Sequence, residues 1–244
     1  MKIMIVGATG VIGDAVTTIL AEDHETIRVG YQDGDHQVDL GSITSISALY
    51  EEVGAVDAVI STASFTDVRA FPDIDDTAFN KALSNQLMGQ VNLVRIGAGK
   101  INEEGSFTLT SGLFAHRPIP GSTAISMVNG AIESFVKAAE LELSPRVRIN
   151  VVAPAFVKEL MEKMGMCPTP VLSTAQTAIT YIRAMAPAFV GEYLDKLIIA
   201  PIPVLSAADT AGAYKFAVEG NITGKTLHAP DHVKTPWTKD QIFF

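Results

Sequence analysis

Gly7, Gly10 and Gly13 recur at intervals of three in Gly7-Ala8-Thr9-Gly10-Val11-Ile12-Gly13, directly after the apolar run Lys2–Val6 and at the start of an amphipathic segment. This arrangement suits a phosphate cradle. Gly7 lets the chain turn sharply, Gly10 clears space for a pyrophosphate, and Gly13 lets a helix pack closely on a strand. The first N–H groups of that helix have no partner of their own and attract an anion, which places Thr9, Val11 and Ile12 beside the phosphates. Farther along, Ser111 follows an apolar run, and its hydroxyl is able to orient a carbonyl oxygen. His116 lies five positions later in Leu113-Phe114-Ala115-His116-Arg117-Pro118, and imidazole titrates near neutrality, so it is a candidate proton donor, with a solvent-facing loop residue as the alternative. Tyr181 and Tyr193 are further phenol donors, with amphipathic packing as their alternative role.

The elements that must position these groups alternate. Strands are expected at Lys2–Val6, Thr26–Gly30, Asp57–Ser61, Ser106–Thr110, Arg148–Ala153 and Thr226–His228. Helices are expected at Val11–Leu20, Ser45–Glu52, Asp76–Ala98, Thr123–Leu143 and Asp209–Val218. Short apolar runs followed by longer amphipathic ones are the grammar of parallel β/α units, and few of the strands alternate strictly, as expected of a sheet covered on both faces. The expected fold class is α/β, a single doubly wound domain over residues 1–244 with a parallel sheet and helices on both faces. Residues 156–205, broken by Pro168, Pro170, Pro187, Pro201 and Pro203, read as a substrate-side excursion within that domain.

Composition removes several classes of function. Hydrophobic residues make up 48% of the 244 and charged residues 18%, too apolar for a disordered chain. Lys+Arg total 18 against 27 Asp+Glu, and no basic cluster offers a footprint for a nucleic acid backbone. The apolar stretch Leu197–Leu205 is cut by Pro201 and Pro203, so no membrane span is expected. Cys167 is the single cysteine, which excludes an internal disulfide or a multi-cysteine metal site and fits a reducing, cytoplasmic setting. Met1–Val6 resembles the start of a signal peptide, but the glycines that follow favour a strand.

With these motifs in place, the chain resembles a short-chain dehydrogenase/reductase over nearly its whole length, which implies a Rossmann-type fold. Asp39 in Gln37-Val38-Asp39-Leu40 stands where that family has the aspartate beside the adenine, with Leu40 adjoining. Ser61-Thr62-Ala63-Ser64 replaces its Asn-Asn-Ala-Gly, and Thr110-Ser111-Gly112 carries its catalytic serine. Asn85 in Ser84-Asn85-Gln86-Leu87-Met88-Gly89 falls where the family keeps a helix asparagine. Asn150-Val151-Val152-Ala153-Pro154 resembles the strand leading to the nicotinamide end, and Thr223-Gly224 precedes the last strand. The resemblance implies a nicotinamide cofactor, NAD or NADP. After the second strand come Gly30-Tyr31-Gln32-Asp33-Gly34-Asp35, with Tyr31 at the usual arginine position and carboxylates that would repel a 2′-phosphate, so NAD is favoured. The alternative is that both aspartates only end a turn.

The chain departs from the family at its centre. It contains no Tyr-x-x-x-Lys, the pair in which the lysine grips the ribose and lowers the tyrosine pKa. Aligned on the family, Ile125 falls at the tyrosine position and Asn129 at the lysine position, where an amide can still bond a ribose hydroxyl but brings no charge; the alternative is a core Ile125 on the stripe of Val128, Ile132 and Phe135 and a polar helix residue at Asn129. The expected activity is an oxidoreductase on a small alcohol or carbonyl with a non-standard site built from Ser111, Asn85, Asn129 and His116 and no metal. The alternatives are a nucleotide-binding sensor without redox activity, or a lyase, isomerase or cyclase on the same fold. Leu83, Leu87, Met88 and Val91 on one long helix and Ile132, Phe135 and Val136 on the other, together with the resemblance, imply a homodimer or homotetramer. The aromatic tail Trp237–Phe244 is expected to dock on its own or a neighbouring subunit.

Overall fold

In the computed structural model, the described residues are 1–63, 68–154, 157, 177 and 226–228. Ser64, Cys167, Tyr181, Tyr193, the Asp209–Val218 helix, Thr223-Gly224, the Trp237–Phe244 tail and the 156–205 excursion (apart from Val157 and Thr177) lie outside them.

The first apolar run forms β1 (Lys2–Val6), the third strand of a seven-stranded sheet ordered β3-β2-β1-β4-β5-β6-β7. Its partners are β2 (Glu25–Gly30), β3 (His36–Gln37), β4 (Val56–Ser61), β5 (Ile101–Thr110), β6 (Arg148–Ala153) and β7 (Thr226–His228). Every pairing is parallel. Alternate side chains of β1 enter separate cores, as the period of two requires. Ile3 and Ile5 pack with Val16 and Leu20 of α1 (Val11–Leu20) on one face. Met4 and Val6 pack on the other with α2 (Ile43–Val53), α4 (Met88–Gly97) and α5 (Thr123–Leu143). The doubly wound expectation holds. β3 had no counterpart in the expected elements, because two residues carry no periodicity.

The long helix expected at Asp76–Ala98 has three parts. It begins as α3 (Asp76–Lys81), where the Asp75 carboxylate accepts the Ala78 N–H, widens to a π-turn over Ala82–Leu87, and resumes as α4. The extra residue of a π-turn rotates everything upstream of it relative to a regular helix.

Two buried or half-buried polar groups fix how the layers meet. The Tyr50 hydroxyl of α2 donates to the Leu93 carbonyl of α4 at 2.8 Å, and burial pushes its phenol far above the ordinary range, keeping it a donor. A methyl group on Gly97 would run into that phenol. At the edge where the strands begin, the Asp57 carboxylate accepts the Asn102 amide and the Lys2 backbone N–H, each at 2.7 Å, tying β1, β4 and β5 together.

Tyr50→Phe is expected to cost about 1 kcal/mol by denaturant unfolding, and Gly97→Ala roughly 1–3 kcal/mol through overpacking. Equal stability of Gly97→Ala and wild type would contradict this contact. The Asn102 and Lys2 hydrogen bonds hold the Asp57 carboxyl below the usual carboxylate range. Its contribution is therefore complete above the unfolded-chain carboxylate value and lost as pH falls through the lowered native value. Asp57→Asn is expected to cost about 0.5–1 kcal/mol at neutral pH, a small figure because the group is largely solvated, and the gap to wild type should close in acid. A gap that widens in acid would contradict it.

Candidate active site

Because all strands run one way, the chain leaves β1, β4, β5 and β6 at the same edge of the sheet, and strand order reverses between β1 and β4. Ligands of such sheets lie in the crevice at that reversal. Gly7 turns there with φ +88°, and its N–H donates to Val29 at 2.8 Å. A methyl group on Gly7 would meet the Ala63 nitrogen at 2.6 Å and Thr62 Oγ1 at 2.9 Å, and one on Gly13 would overlap the Gly7 carbonyl. Thr62 Oγ1 donates toward the carbonyls of Val6 at 3.2 Å and Gly7 at 3.1 Å, holding the two strand ends together. Gly10 differs, since among the described residues a methyl group there would meet only the Gly7 oxygen, at 3.3 Å. Gly10 is also the N-cap of α1 and provides no side-chain cap. The turn therefore offers open space in front of uncapped N–H groups, as a pyrophosphate requires. Thr9 is exposed beside it, and Val11 and Ile12 are half-buried in the first turn of α1.

At the end of β2, Tyr31 is 69% exposed. Asp35 closes its own turn: its Oδ2 accepts the Arg28 N–H at 2.8 Å and its N–H donates to the Arg28 carbonyl at 2.7 Å. The turn-ending alternative thus describes Asp35. The Arg28 guanidinium pairs with Asp14 at 3.2 Å. Asp39 is exposed; its N–H donates to Ser45 Oγ at 3.0 Å and its Oδ1 accepts the Gly41 N–H at 2.9 Å. Leu40 packs half-buried against the larger core.

The end of β5 is built from buried amides. The fully buried Gln90 of α4 bonds both the N–H and the carbonyl of Thr110, each at 2.8 Å, and Thr110 Oγ1 donates to the Ser61 carbonyl of β4. These bonds set where Ser111 emerges. Ser111 is 3% exposed, and its hydroxyl donates to Glu133 Oε1 of α5 at 2.8 Å. The other carboxylate oxygen of Glu133, itself 4% exposed, lies 2.8 Å from His116 Nε2, off the line of a hydrogen bond but at ion-pair distance when the imidazole is protonated. His116 thus turns inward, against its reading as a solvent-facing loop residue. Pro154 accepts the Leu113 N–H at 3.1 Å, joining the His116 loop to the end of β6.

Asn129 is 2% exposed and faces Gly112, where a methyl group would meet its Nδ2 at 2.8 Å. Its Oδ1 accepts from Gln86 Nε2 at 2.9 Å. Asn85 does not join this cluster; its amide oxygen lies against Gly41, near Asp39 Oδ1. Its neighbour Gln86, in the same π-turn, is the side chain that bonds Asn129. Ile125, 6% exposed, is buried one turn before Asn129 on the same face of α5. Glu133 was missed, although a signal existed. It falls on the same helix face as Ile125 and Asn129, four and eight positions on, and a carboxylate on a buried stripe needs a partner.

Comparison with known proteins agrees with this geometry. A family model described as enoyl-(acyl carrier protein) reductase matches residues 14–197. Glucose and ribitol dehydrogenase homolog 2 of Arabidopsis thaliana is 26% identical over 153 residues, 57% of this chain and 53% of that protein, so the chain spans about half the length of this curated relative. The structure of the protein lin1944 from Listeria innocua superposes with a TM-score of 0.73 at 30% identity, covering 93% of this chain and 98% of that one. A small-chain dehydrogenase in complex with NADPH superposes with a TM-score of 0.67 at 25% identity, covering 93% and 95%. Extending over most of the sequence and coinciding with a parallel sheet whose glycine turn lies at its switch point, the family match makes this chain a member of the short-chain dehydrogenase/reductase family.

Proposed function

We propose that the protein is a nicotinamide-dependent oxidoreductase of a small alcohol or carbonyl, with an acid–base site of its own. The observation that carries this reading is the open, uncapped cradle at Gly10 on the same sheet edge as the buried Ser111 hydroxyl. Gly7, Thr9, Gly10, Val11, Ile12 and Gly13 hold the pyrophosphate; Tyr31, Asp39 and Leu40 face the adenosine; Thr62 and Ala63 border the ribose; Asn129 and Pro154 lie toward the nicotinamide. Ser111 and His116 address the substrate, Asn85 keeps the role that the family resemblance gives it, and Gln86 holds Asn129. Bound there, the nicotinamide would take up or supply a hydride. NAD is preferred over NADP because Tyr31, Asp33 and Asp35 bring no cation to a 2′-phosphate, whereas a structural neighbour was solved with NADPH.

The chain acts as a single domain in the cytoplasm and assembles as a homodimer or homotetramer. Met88 on α4 and Met127 on α5, 39% and 44% exposed, support that assembly. Among the described residues no helix is long and apolar enough to cross a membrane. A nucleotide-binding sensor is the second reading, favoured by the burial of Ile125 and by the neutral Asn129 already engaged by Gln86.

The deciding experiment is a fluorescence titration with NADH and NADPH. Wild type is expected to bind NADH more tightly. Gly10→Asp is expected to fold normally, because among the described residues its Cβ meets only one atom, and to weaken binding about a hundredfold or more by setting a carboxylate against the pyrophosphate. No binding of either nucleotide at millimolar concentration would overturn the proposal.

A further inference from the structure

We infer that Ser111 and Glu133 form the proton-accepting end of the site, and that this makes the substrate an alcohol. This deepens, and rests on, the oxidoreductase reading. A serine hydroxyl has one proton, and Ser111 gives it to Glu133 Oε1 at 2.8 Å. A carboxylate has no proton to return, so Ser111 presents only lone pairs to anything that lies against it. A ligand oxygen meeting Ser111 must therefore bring its own proton. A hydroxyl does so, and a ketone oxygen would oppose lone pair to lone pair.

The arrangement is held from both sides. Glu133 cannot turn away cheaply, because its second oxygen faces His116 at 2.8 Å and its side chain is 5% exposed, whereas that of His116 is 23% exposed. Ser111 is fixed as well, by the Ser111 N–H bond to Val152 at 2.9 Å and by the Gln90 clamp on Thr110. Ile125 offers no proton-transfer group, so this carboxylate is the proton sink that the hydroxyl at the end of β5 reaches.

The step balances. As the alcohol O–H proton passes to Ser111 Oγ, the proton of Ser111 passes to Glu133 Oε1. An oxidised nicotinamide bound in the Gly10 turn would supply the hydride acceptor for the carbon-bound hydrogen, so that the C–O bond would become a carbonyl while Glu133 holds the proton as a carboxylic acid. Ser111 touches the substrate, while Glu133 acts through it as a positioning and proton-holding residue.

The test uses the full chain loaded with NAD, whose binding is confirmed first, and the pairs isopropanol/acetone, cyclopentanol/cyclopentanone and cyclohexanol/cyclohexanone. Binding is followed by ligand-observed NMR and turnover by NADH absorbance. Wild type should bind the alcohol of a pair about tenfold more tightly than the ketone. Glu133→Gln, nearly isosteric, should keep cofactor affinity and KM but lower kcat for oxidation about a hundredfold or more. Formate should restore part of the rate to Glu133→Ala, because it returns a carboxylate to the gap, a rescue that a purely structural role of Glu133 would not show. Ser111→Ala should abolish the alcohol preference, which keeps the test informative if the Glu133 variants do not fold. A ketone bound as tightly as its alcohol, no alcohol bound at all, or Glu133→Gln oxidising at the wild-type rate would overturn this inference while leaving cofactor binding intact. Failure to bind NAD would instead overturn the oxidoreductase reading beneath it.

Discussion

A parallel sheet buried on both faces constrains everything else in this chain. Each strand must be followed by a return over one face, so β1, β4, β5 and β6 all release the chain at the same edge. Gly7, Thr62, Ser111 and Pro154 are far apart in sequence and follow those strand ends. The polar bonds among them, from Thr62 to the Gly7 carbonyl, Thr110 to Ser61 and Leu113 to Pro154, satisfy backbone groups where the ladder stops. A site assembled in this way inherits its precision from the sheet rather than from its loops.

The sheet was legible because its signals are local and strong. Lys2–Val6, Arg148–Ala153 and Thr226–His228 match their expected bounds, and the glycine turn occupies its expected place between β1 and α1. What escaped was non-local or too brief. β3 has two residues and is defined by pairing with β2, which no periodicity reveals. The π-turn at Ala82–Leu87 depends on hydrogen-bond register, and so does the bond it allows between Gln86 and Asn129. Glu133 acquires its meaning only when α5 brings it to Ser111 and His116, which are 22 and 17 positions away in sequence.

In the proposed site, the absence of the family's Tyr-x-x-x-Lys pair would change the electrostatics as well as the proton donor. A lysine would stabilise negative charge at the ribose, whereas Asn129 is neutral and bound to Gln86. A carboxylate, Glu133, lies one turn farther along α5, buried and with its second oxygen 2.8 Å from His116 Nε2. A carboxylate behind the serine accepts protons where a phenol would share them, so the exchange alters which partner, hydroxyl or carbonyl, the serine can meet.

The most direct measurement is a crystal structure of the protein with NAD and cyclohexanol bound. The ligand hydroxyl should lie within about 3 Å of Ser111 Oγ, with the Ser111–Glu133 bond intact and the pyrophosphate at Gly10. A nucleotide bound away from that turn, or a Ser111 rotated from Glu133 to donate to the ligand oxygen, would contradict the site described above.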